Sequence, residues 1–205
     1  MILARRQLLS YGAVVAAAGV LPAKDALLSA KSAPLPVRTA VQSMWTPIRL
    51  KPEPTDVRRA FVHNVHTGDV LDAVYYEDGA YVPDALQAAM RVLRDWRDGK
   101  EHYMDPKLFD LLHVLGKKVE ARGPVQILCG YRSPATNAML REHSKEVASR
   151  SQHLLGKALD IHVEGVELAH LQRAALSLRA GGVGYYPTSG FVHVDVGPVR
   201  QWTGT

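Results

Sequence analysis

The chain has 205 residues, a formal net charge of +5 and one cysteine, Cys129. The length fits one domain of about 150 residues with an N-terminal extension, and a domain of that size needs no covalent cross-links to fold. The single cysteine excludes an intramolecular disulfide, and the absence of Lys/Arg runs interleaved with aromatic residues argues against a nucleic-acid partner.

Residues 1–23 are predicted to be a signal segment of the twin-arginine type. Arg5 and Arg6 precede an uncharged apolar stretch, Leu8 to Leu21, which is shorter than the roughly 20 residues that cross a bilayer. This pattern is typical of secretory signals, and the arginine pair favours the twin-arginine export machinery as a partner. Cleavage after Ala23 would leave no stable membrane span and an exported protein, in the periplasm or at the cell surface. An uncleaved anchor is the alternative.

Residues 24–56 are rich in Pro, Ala, Ser and Lys, which predicts a linker or an extended arm. The folded domain is expected over residues 57–205. Two β-like runs open it, at Val57–Asn64 and Asp69–Tyr76, and Gly68 between them is typical of a hairpin turn with positive φ. The spacing of apolar residues then predicts three helices: Ala85–Asp98 capped by Asp84, one from Asp105-Pro106 to Ala121, and Pro134–Glu142.

The apolar run Val125–Cys129 predicts a buried strand in which Cys129 is a small buried hydrophobe. Further elements follow in chain order: a strand at Ala158–Val163, a helix at Leu168–Leu178, and the last two strands at Val183–Tyr186 and Phe191–Val196. This order lacks strict alternation of strand and helix. It therefore predicts an α+β fold with a central, mainly antiparallel sheet flanked by helices.

Three side chains are predicted to hold a catalytic metal: His153, Asp160 and His193. Catalytic zinc takes three protein ligands from His, Asp and Glu and leaves one position open. Because alternate residues of a strand share a face, Asp160 and His193 point away from their apolar neighbours. If their strands pair in register, both project from one sheet face, and a sharp turn at Gly156 lets His153 return over that face.

Other histidines are weaker candidates. His162 shares the face of Asp160, but residues two apart on a strand lie roughly 6–7 Å from each other, so His162 is expected to act at most around the ligands. His63 and His66 flank the first hairpin and are expected to be structural or exposed.

Four stretches in order resemble the LAS metallopeptidases, the group named for lysostaphin, the D-Ala-D-Ala metallopeptidases and sonic hedgehog, and in particular its murein endopeptidase branch. The stretches are Asn64-Val-His66-Thr67-Gly68, Gly130-Tyr131-Arg132-Ser133-Pro134-x-Thr136-Asn137, Ser151-x-His153-x-x-Gly156-x-Ala158-x-Asp160, and 182–197 with Phe191-Val-His193-Val-Asp195. The similarity covers about residues 57–202, nearly all of the expected domain.

The resemblance implies a Hedgehog/DD-peptidase-like fold and zinc held by His153, Asp160 and His193. It implies a peptidoglycan endopeptidase that hydrolyses amide bonds in cross-linked stem peptides by a zinc-activated water. It also implies that the turn Tyr131-Arg132-Ser133 binds substrate. A guanidinium at Arg132 suits this role, because it can clamp a carboxylate or stabilise a developing oxyanion.

The sequence departs from the family at the catalytic base. Several relatives carry a His two residues before the last ligand or an acid three before it, whereas this chain has Phe191 and Gly190 there. Asp195, on the same strand face as His193, is the nearest acid. Two roles remain open for it, general base or orientation of the metal site.

Two other functions are compatible with the sequence. One is a non-catalytic cell-wall-binding module with a structural metal site, which the missing base favours. The other is a zinc D,D-peptidase that acts on another small peptide. The sequence fixes neither the cross-link that is cut nor the identity of the ion.

Overall fold

The structure is a computed structural model and describes residues 56–144 and 147–205. The segments predicted as signal (1–23) and as linker or arm (24–56) lie outside these residues, apart from Asp56. Within the described ranges, no helix combines the length and apolar character that a bilayer crossing requires.

The described residues form a single sheet of eight strands with four α-helices. The strands are β1 (Arg58–Asn64), β2 (Val70–Glu77), β3 (Ala80–Tyr81), β4 (Val125–Cys129), β5 (Ala158–Val163), β6 (Gly182–Tyr186), β7 (Phe191–Asp195) and β8 (Arg200–Thr203). The helices are α1 (Pro83–Val92), α2 (Lys107–Lys118), α3 (Pro134–His143) and α4 (Leu168–Leu178), with a short 3₁₀ helix at Gln152–Leu155.

The strand order is β3-β2-β1-β4-β5-β7-β6-β8. Among the described strands, five of the seven neighbouring pairs are antiparallel, and the parallel pairs are β1 with β4 and β6 with β8. The predicted α+β class with a mainly antiparallel sheet flanked by helices is therefore confirmed.

The core lies between one face of the sheet and the helices α1, α2 and α4. Leu159 and Ile161 of β5 and Val192 and Val194 of β7 are completely buried on this face. Each such side chain contributes about 1.5–3 kcal/mol by leaving water. A slip of one residue would turn all four toward the other face, so the apolar alternation fixes the register of these strands.

Helix α1 differs from its prediction at both ends. It begins at Pro83 rather than Ala85, so Asp84 lies in the first turn instead of capping the helix. A carboxylate in the first turn still stabilises the helix through its interaction with the helix dipole. The helix ends at Val92 rather than Asp98. The Asp95 carboxylate accepts the backbone N–H groups of Arg97 and Ser133, so this polar side chain supports a turn in place of a further helical turn.

Helix α2 ends at Lys118 instead of Ala121, because Glu120 adopts a left-handed conformation with φ of 52°.

Two strands, β3 and β8, and the 3₁₀ helix have no counterpart in the sequence prediction. Strand β8 is the more important omission, since the predicted strand Phe191–Val196, which the structure has at Phe191–Asp195, was expected to be the last. It is short, lies at the sheet edge and is largely exposed, so it lacks the apolar alternation that marks a strand.

Candidate metal centre

Three neighbouring strands place a row of polar side chains on the sheet face opposite the core. Asp160 of β5 is the direct partner of His193 on β7 and of Cys129 on β4. Direct partners on adjacent strands bring their Cβ atoms about 4.5–5.5 Å apart on the same face. The expected pairing of Asp160 with His193 is confirmed.

His153 reaches this row from the 3₁₀ helix. The Ser151 side chain caps that helix by accepting the N–H of His153, at 3.4 Å. Gly156 then reverses the chain with φ of 63°, and a Cβ there would lie 1.9 Å from the carbonyl oxygen of Tyr103. Only glycine fits both this left-handed conformation and the close approach to Tyr103. Gly156 therefore allows the turn that connects His153 to β5.

The three predicted ligands converge on one point. Nε2 of His153 lies 3.2 Å from Oδ1 of Asp160 and 3.2 Å from Nδ1 of His193, and the latter two atoms are 2.8 Å apart. A tetrahedral ion with bonds of about 2.0–2.1 Å would separate its donor atoms by roughly 3.3 Å. Two imidazole nitrogens and a carboxylate oxygen at these distances fit a divalent metal ion.

The opposite ring nitrogens of both histidines are held by the protein. Nδ1 of His153 lies 2.8 Å from the carbonyl oxygen of Gly130 and donates to it, which leaves Nε2 free to bind metal. Nε2 of His193 lies 3.2 Å from Oδ2 of Asp195 and donates to that carboxylate, which leaves Nδ1 free. Such partners fix the tautomer and the ring orientation of a metal ligand.

Asp195 is fully buried and its carboxylate is saturated with donors. It accepts the N–H groups of Gly182 and Gly197 at 2.9 and 2.8 Å, and Nη2 of Arg200 at 2.6 Å. Burial alone would raise the pKa of Asp195, but the hydrogen bonds from His193 and Arg200 outweigh it and hold the pKa well below its usual range. The surroundings suit a group that orients His193.

His153 and Asp160 form a strongly coupled buried pair. Burial opposes the charge of His153, but the Asp160 carboxylate outweighs this effect and raises the pKa of His153 to about 10. The pKa of Asp160 is driven well below its usual range by the two histidines, against the effect of its own burial. In the metal-free protein a proton therefore occupies the place of the cation.

A cavity of about 360 Å³ opens above the three ligands. Its walls carry the basic side chains of Arg132, Arg150 and Arg200 and the aromatic rings of Tyr186 and Trp202. Among the described residues that line it, the side-chain carboxylate and imidazole groups all belong to the three predicted ligands. The cavity is thus a basic cleft with metal donors at its floor.

Arg132 lines this cavity from the turn after β4. Its Nη2 lies 3.9 Å from Oδ2 of Asp160 and 3.6 Å from Sγ of Cys129, and its Nη1 lies 3.5 Å from Oδ1 of Asn137. Within the described part of the chain, its buried Nε has no hydrogen-bond partner. The guanidinium is therefore incompletely satisfied by the protein, beside the cavity.

The other two residues of the predicted substrate turn do not line the cavity. Ser133 is completely buried and caps α3, where its side chain accepts the N–H of Thr136 at 3.1 Å. Tyr131 is 8% exposed, and its ring stacks on His102 with centroids 4.5 Å apart. In this structure both positions support the turn that presents Arg132.

The rival histidines lie elsewhere. Nδ1 of His162 is 3.2 Å from the carbonyl oxygen of Gly190, and His66 stacks on Trp96 with centroids 4.2 Å apart. His63 pairs with Val70 and Gln126 in the sheet and lies outside the cavity lining.

Cys129 was predicted to be a small buried hydrophobe, whereas in the structure it is half-buried and lies outside the hydrophobic core. Ile127 on β4 is the partner of Ile161 on β5, and a β-bulge lies between Ile127 and Cys129. Because of this bulge, the partner of Cys129 is Asp160 and not a core residue. The bulge turns the side chain to the site face, where its Sγ and ligand atoms of His153 and Asp160 all lie within 4.8 Å of one another. Bulges beside active sites commonly re-aim a side chain in this way.

Donor geometry, oriented imidazoles and a basic cleft over them define a candidate metal centre of the kind that metal-dependent hydrolases use. The family model described as peptidoglycan L,D-endopeptidase MepK matches residues 53–202. The chain belongs to this family.

Individual relatives agree with the family match. The chain is 39% identical over 198 residues to peptidoglycan L,D-endopeptidase MepK of Escherichia coli (strain K12), and the match covers 97% of this chain and 96% of that protein. The MepK protein of Shigella flexneri is similar to the same extent. A probable peptidoglycan L,D-endopeptidase MepK of Haemophilus influenzae is 43% identical over 142 residues, which are 69% of this chain and 76% of that protein.

Proposed function

We propose that the protein is a zinc-dependent peptidoglycan endopeptidase that hydrolyses amide bonds in cross-linked stem peptides. The observation that carries the proposal is the convergence of His153, Asp160 and His193 at the floor of a basic cleft. The similarity to MepK proteins, whose names specify peptidoglycan L,D-endopeptidases, supports the same substrate class.

The donor set fits zinc, because two imidazoles and one carboxylate leave a fourth position for the reaction. When bound, zinc would lower the pKa of a water molecule and polarise the scissile carbonyl. His153, Asp160 and His193 would hold the ion, and Asp195 would keep the His193 ring in its binding orientation through the hydrogen bond to Nε2. In this proposal Asp195 orients a ligand and is not the general base.

Arg132 would bind the substrate. Its guanidinium borders the cavity, its Nε has no hydrogen-bond partner among the described residues, and Oδ2 of Asp160 lies 3.9 Å from its Nη2. Stem peptides carry carboxylates, and amide hydrolysis develops an oxyanion, so a cation here can serve either group. Tyr131 and Ser133 would contribute indirectly, by shaping the turn that holds Arg132.

We also propose export to the periplasm or the cell surface through the twin-arginine machinery. The motif Arg5-Arg6 before an uncharged apolar stretch supports the route, and a peptidoglycan substrate requires the destination. Replacing both arginines with lysine should leave the full-length precursor in the cytoplasm. Export of that variant at the normal rate would contradict export by the twin-arginine route.

The test of the catalytic proposal is the mass-spectrometric analysis of purified peptidoglycan after incubation with the protein. We expect cross-linked dimers to decrease and monomers to increase with zinc, and neither change with chelator or with His153→Ala. The products also show which bond is cut. Chelator-resistant metal with no hydrolysis would instead favour a non-catalytic cell-wall-binding module, and hydrolysis of small D,D-peptides alone would favour a D,D-peptidase.

A further inference from the structure

We propose that the hydroxyl of Tyr186 binds the substrate, as a hydrogen-bond donor to a carbonyl or carboxylate oxygen of the stem peptide. Trp202 is the positioning residue that holds this hydroxyl in place. The inference rests on the proposed function, because the ligand is the cross-linked stem peptide. It adds a contact that neither the metal ligands nor Arg132 supplies.

Gly184 creates the space that the Trp202 side chain occupies. On β6, Gly184 is the direct partner of His193 on one side and of Trp202 on the other. Because Gly184 has no side chain, the indole of Trp202 lies over it, and a Cβ at this position would be 2.6 Å from Cε2 of that ring. The indole therefore extends across β6 toward the metal centre, where its ring centroid is 5.1 Å from that of His193.

Tyr186 lies on the same sheet face, two residues after Gly184. Its ring stacks on that of Phe191, its partner on β7, with centroids 4.4 Å apart. The backbone at Gly204 also packs closely against the ring, because a Cβ there would lie 2.2 Å from Cε1 of Tyr186. These contacts restrict the rotation of the ring and so fix the position of its hydroxyl.

The direction of one hydrogen bond leaves the Tyr186 hydroxyl free to act as a donor. Nε1 of Trp202 lies 2.9 Å from the hydroxyl oxygen of Tyr186. An indole N–H can only donate, so the hydroxyl oxygen is the acceptor and its own proton is available for another acceptor. Among the described residues, no acceptor lies within hydrogen-bond distance of that proton.

Tyr186 and Trp202 both line the cavity above the metal ligands. The walls of this cavity also carry the guanidinium groups of Arg132, Arg150 and Arg200, which favour a ligand rich in acceptor oxygens. A peptide that enters the cavity removes water from the Tyr186 hydroxyl, so an oxygen of the peptide must replace that water for the donor to stay satisfied. The contact leaves the open position of the proposed metal site unoccupied.

The test compares Tyr186→Phe with the native full chain in the hydrolysis of purified cross-linked muropeptide dimers at saturating zinc. Loss of one hydrogen bond should raise KM by about 2–10-fold, whereas zinc affinity should stay the same. Tyr185→Phe is the matched control. It removes a hydroxyl from the neighbouring residue, which packs against the core, and should leave KM unchanged.

Trp202→Phe tests the positioning role. This change keeps an aromatic ring beside His193 but removes the N–H that Tyr186 accepts, so KM should also rise. In the Tyr186→Phe background the same change should add no further increase in KM, because Trp202 acts on the substrate through the hydroxyl. Additive increases at saturating zinc would overturn the positioning role of Trp202.

The outcomes separate this inference from the proposed function. An unchanged KM in Tyr186→Phe would overturn the inference and leave the endopeptidase intact, as would a fall in zinc affinity that accounts for the lost activity. If the native protein does not hydrolyse the dimers, the proposed function is wrong, and calorimetric binding of the dimers then decides the inference. Equal affinity of the native protein and Tyr186→Phe, or no binding by either, would overturn it.

Discussion

Two clusters of buried charge lie in this fold, and they differ in how their polar atoms are satisfied. The closed cluster surrounds Asp110 of α2, which is completely buried. Its Oδ1 accepts Nη1 of Arg58 at 2.7 Å and the Tyr75 hydroxyl at 3.1 Å, and its Oδ2 accepts the Tyr81 hydroxyl at 2.6 Å. Each of these contacts joins a donor to an acceptor.

In the open cluster at His153, Asp160 and His193, the three atoms that face one another are all acceptors unless a proton or a metal ion lies between them. Nδ1 of His153 donates to the Gly130 carbonyl oxygen, and Nε2 of His193 donates to Asp195. The other ring nitrogen of each histidine and Oδ1 of Asp160 therefore face one another at 2.8–3.2 Å. Only a cation can satisfy that arrangement. The comparison shows that burial of charge does not identify a site, whereas converging acceptors under a cavity do.

The largest effect should follow removal of a donor from the open cluster. We expect His153→Ala to abolish measurable zinc binding and to reduce peptidoglycan hydrolysis to background, because two remaining donors hold an ion poorly. Zinc competition with a chromophoric chelator measures the first effect. His162→Ala is the matched control, on the same strand as Asp160, and should bind zinc normally. Normal zinc binding by His153→Ala would contradict the proposed difference between the two clusters.

Removal of the carboxylate from the closed cluster should affect the fold instead. Asp110→Ala leaves the buried guanidinium of Arg58 without one of its partners and should lower the free energy of unfolding by about 3–5 kcal/mol. Asp160→Ala should lower it less in the metal-free protein, because His153 can then lose its proton. Denaturant unfolding of both variants makes the comparison, and an equal loss would show that the open cluster also stabilises the fold.

A smaller effect is expected at the group that orients His193. Asp195→Asn cannot accept the imidazole N–H in the same way and should weaken metal binding by about 10–100-fold. The pH dependence of hydrolysis should keep its shape, because Asp195 is proposed to act through His193. A pH profile that loses its acidic limb would instead make Asp195 the general base.

Metal affinity should rise with pH, because zinc must displace the proton of His153, whose pKa is raised to about 10. We expect about a tenfold gain for each pH unit between pH 6 and 8 from this proton alone. In the closed cluster the pKa values of Arg58, Tyr75 and Tyr81 are all raised, so none of these groups titrates in that window. Calorimetry at several pH values measures the slope; a flat affinity contradicts the prediction.

The smallest effect concerns the turn that presents Arg132. Ser133→Ala removes a helix cap and should cost about 1 kcal/mol of stability with an unchanged KM. Arg132→Ala, in the same turn, should raise KM while it leaves stability nearly unchanged. An increase in KM for Ser133→Ala that matches Arg132→Ala would restore Ser133 as a substrate contact.

Much of the fold on the site side is predictable from sequence. The bounds of β5 and α4 agree with their predictions to the residue, because strong apolar periodicity runs through each. The same alternation places Asp160 and His193 on the face opposite the core. The class of fold follows from the order of elements, as the sheet pairings confirm.

The remaining features depend on contacts that are distant in sequence. The bulge that turns Cys129 toward Asp160 arises from pairing between β4 and β5, and no local pattern marks it. Ser133 and Tyr131 resemble substrate contacts because they flank Arg132, whereas the structure uses one as a helix cap and the other as a packed ring. Strand β8 is polar and lies at an edge, so its parallel pairing with β6 leaves no trace in hydropathy.

That late strand ties completion of the site to the order of synthesis. Arg200 binds Asp195, and the Trp202 ring lies 5.1 Å from that of His193, so both supports of the last ligand are made after the ligand itself. Loss of β8 would leave all three donors in the chain but would remove the contacts that hold the last of them in place. Metal affinity should therefore depend on side chains of β8 that are not among the proposed ligands.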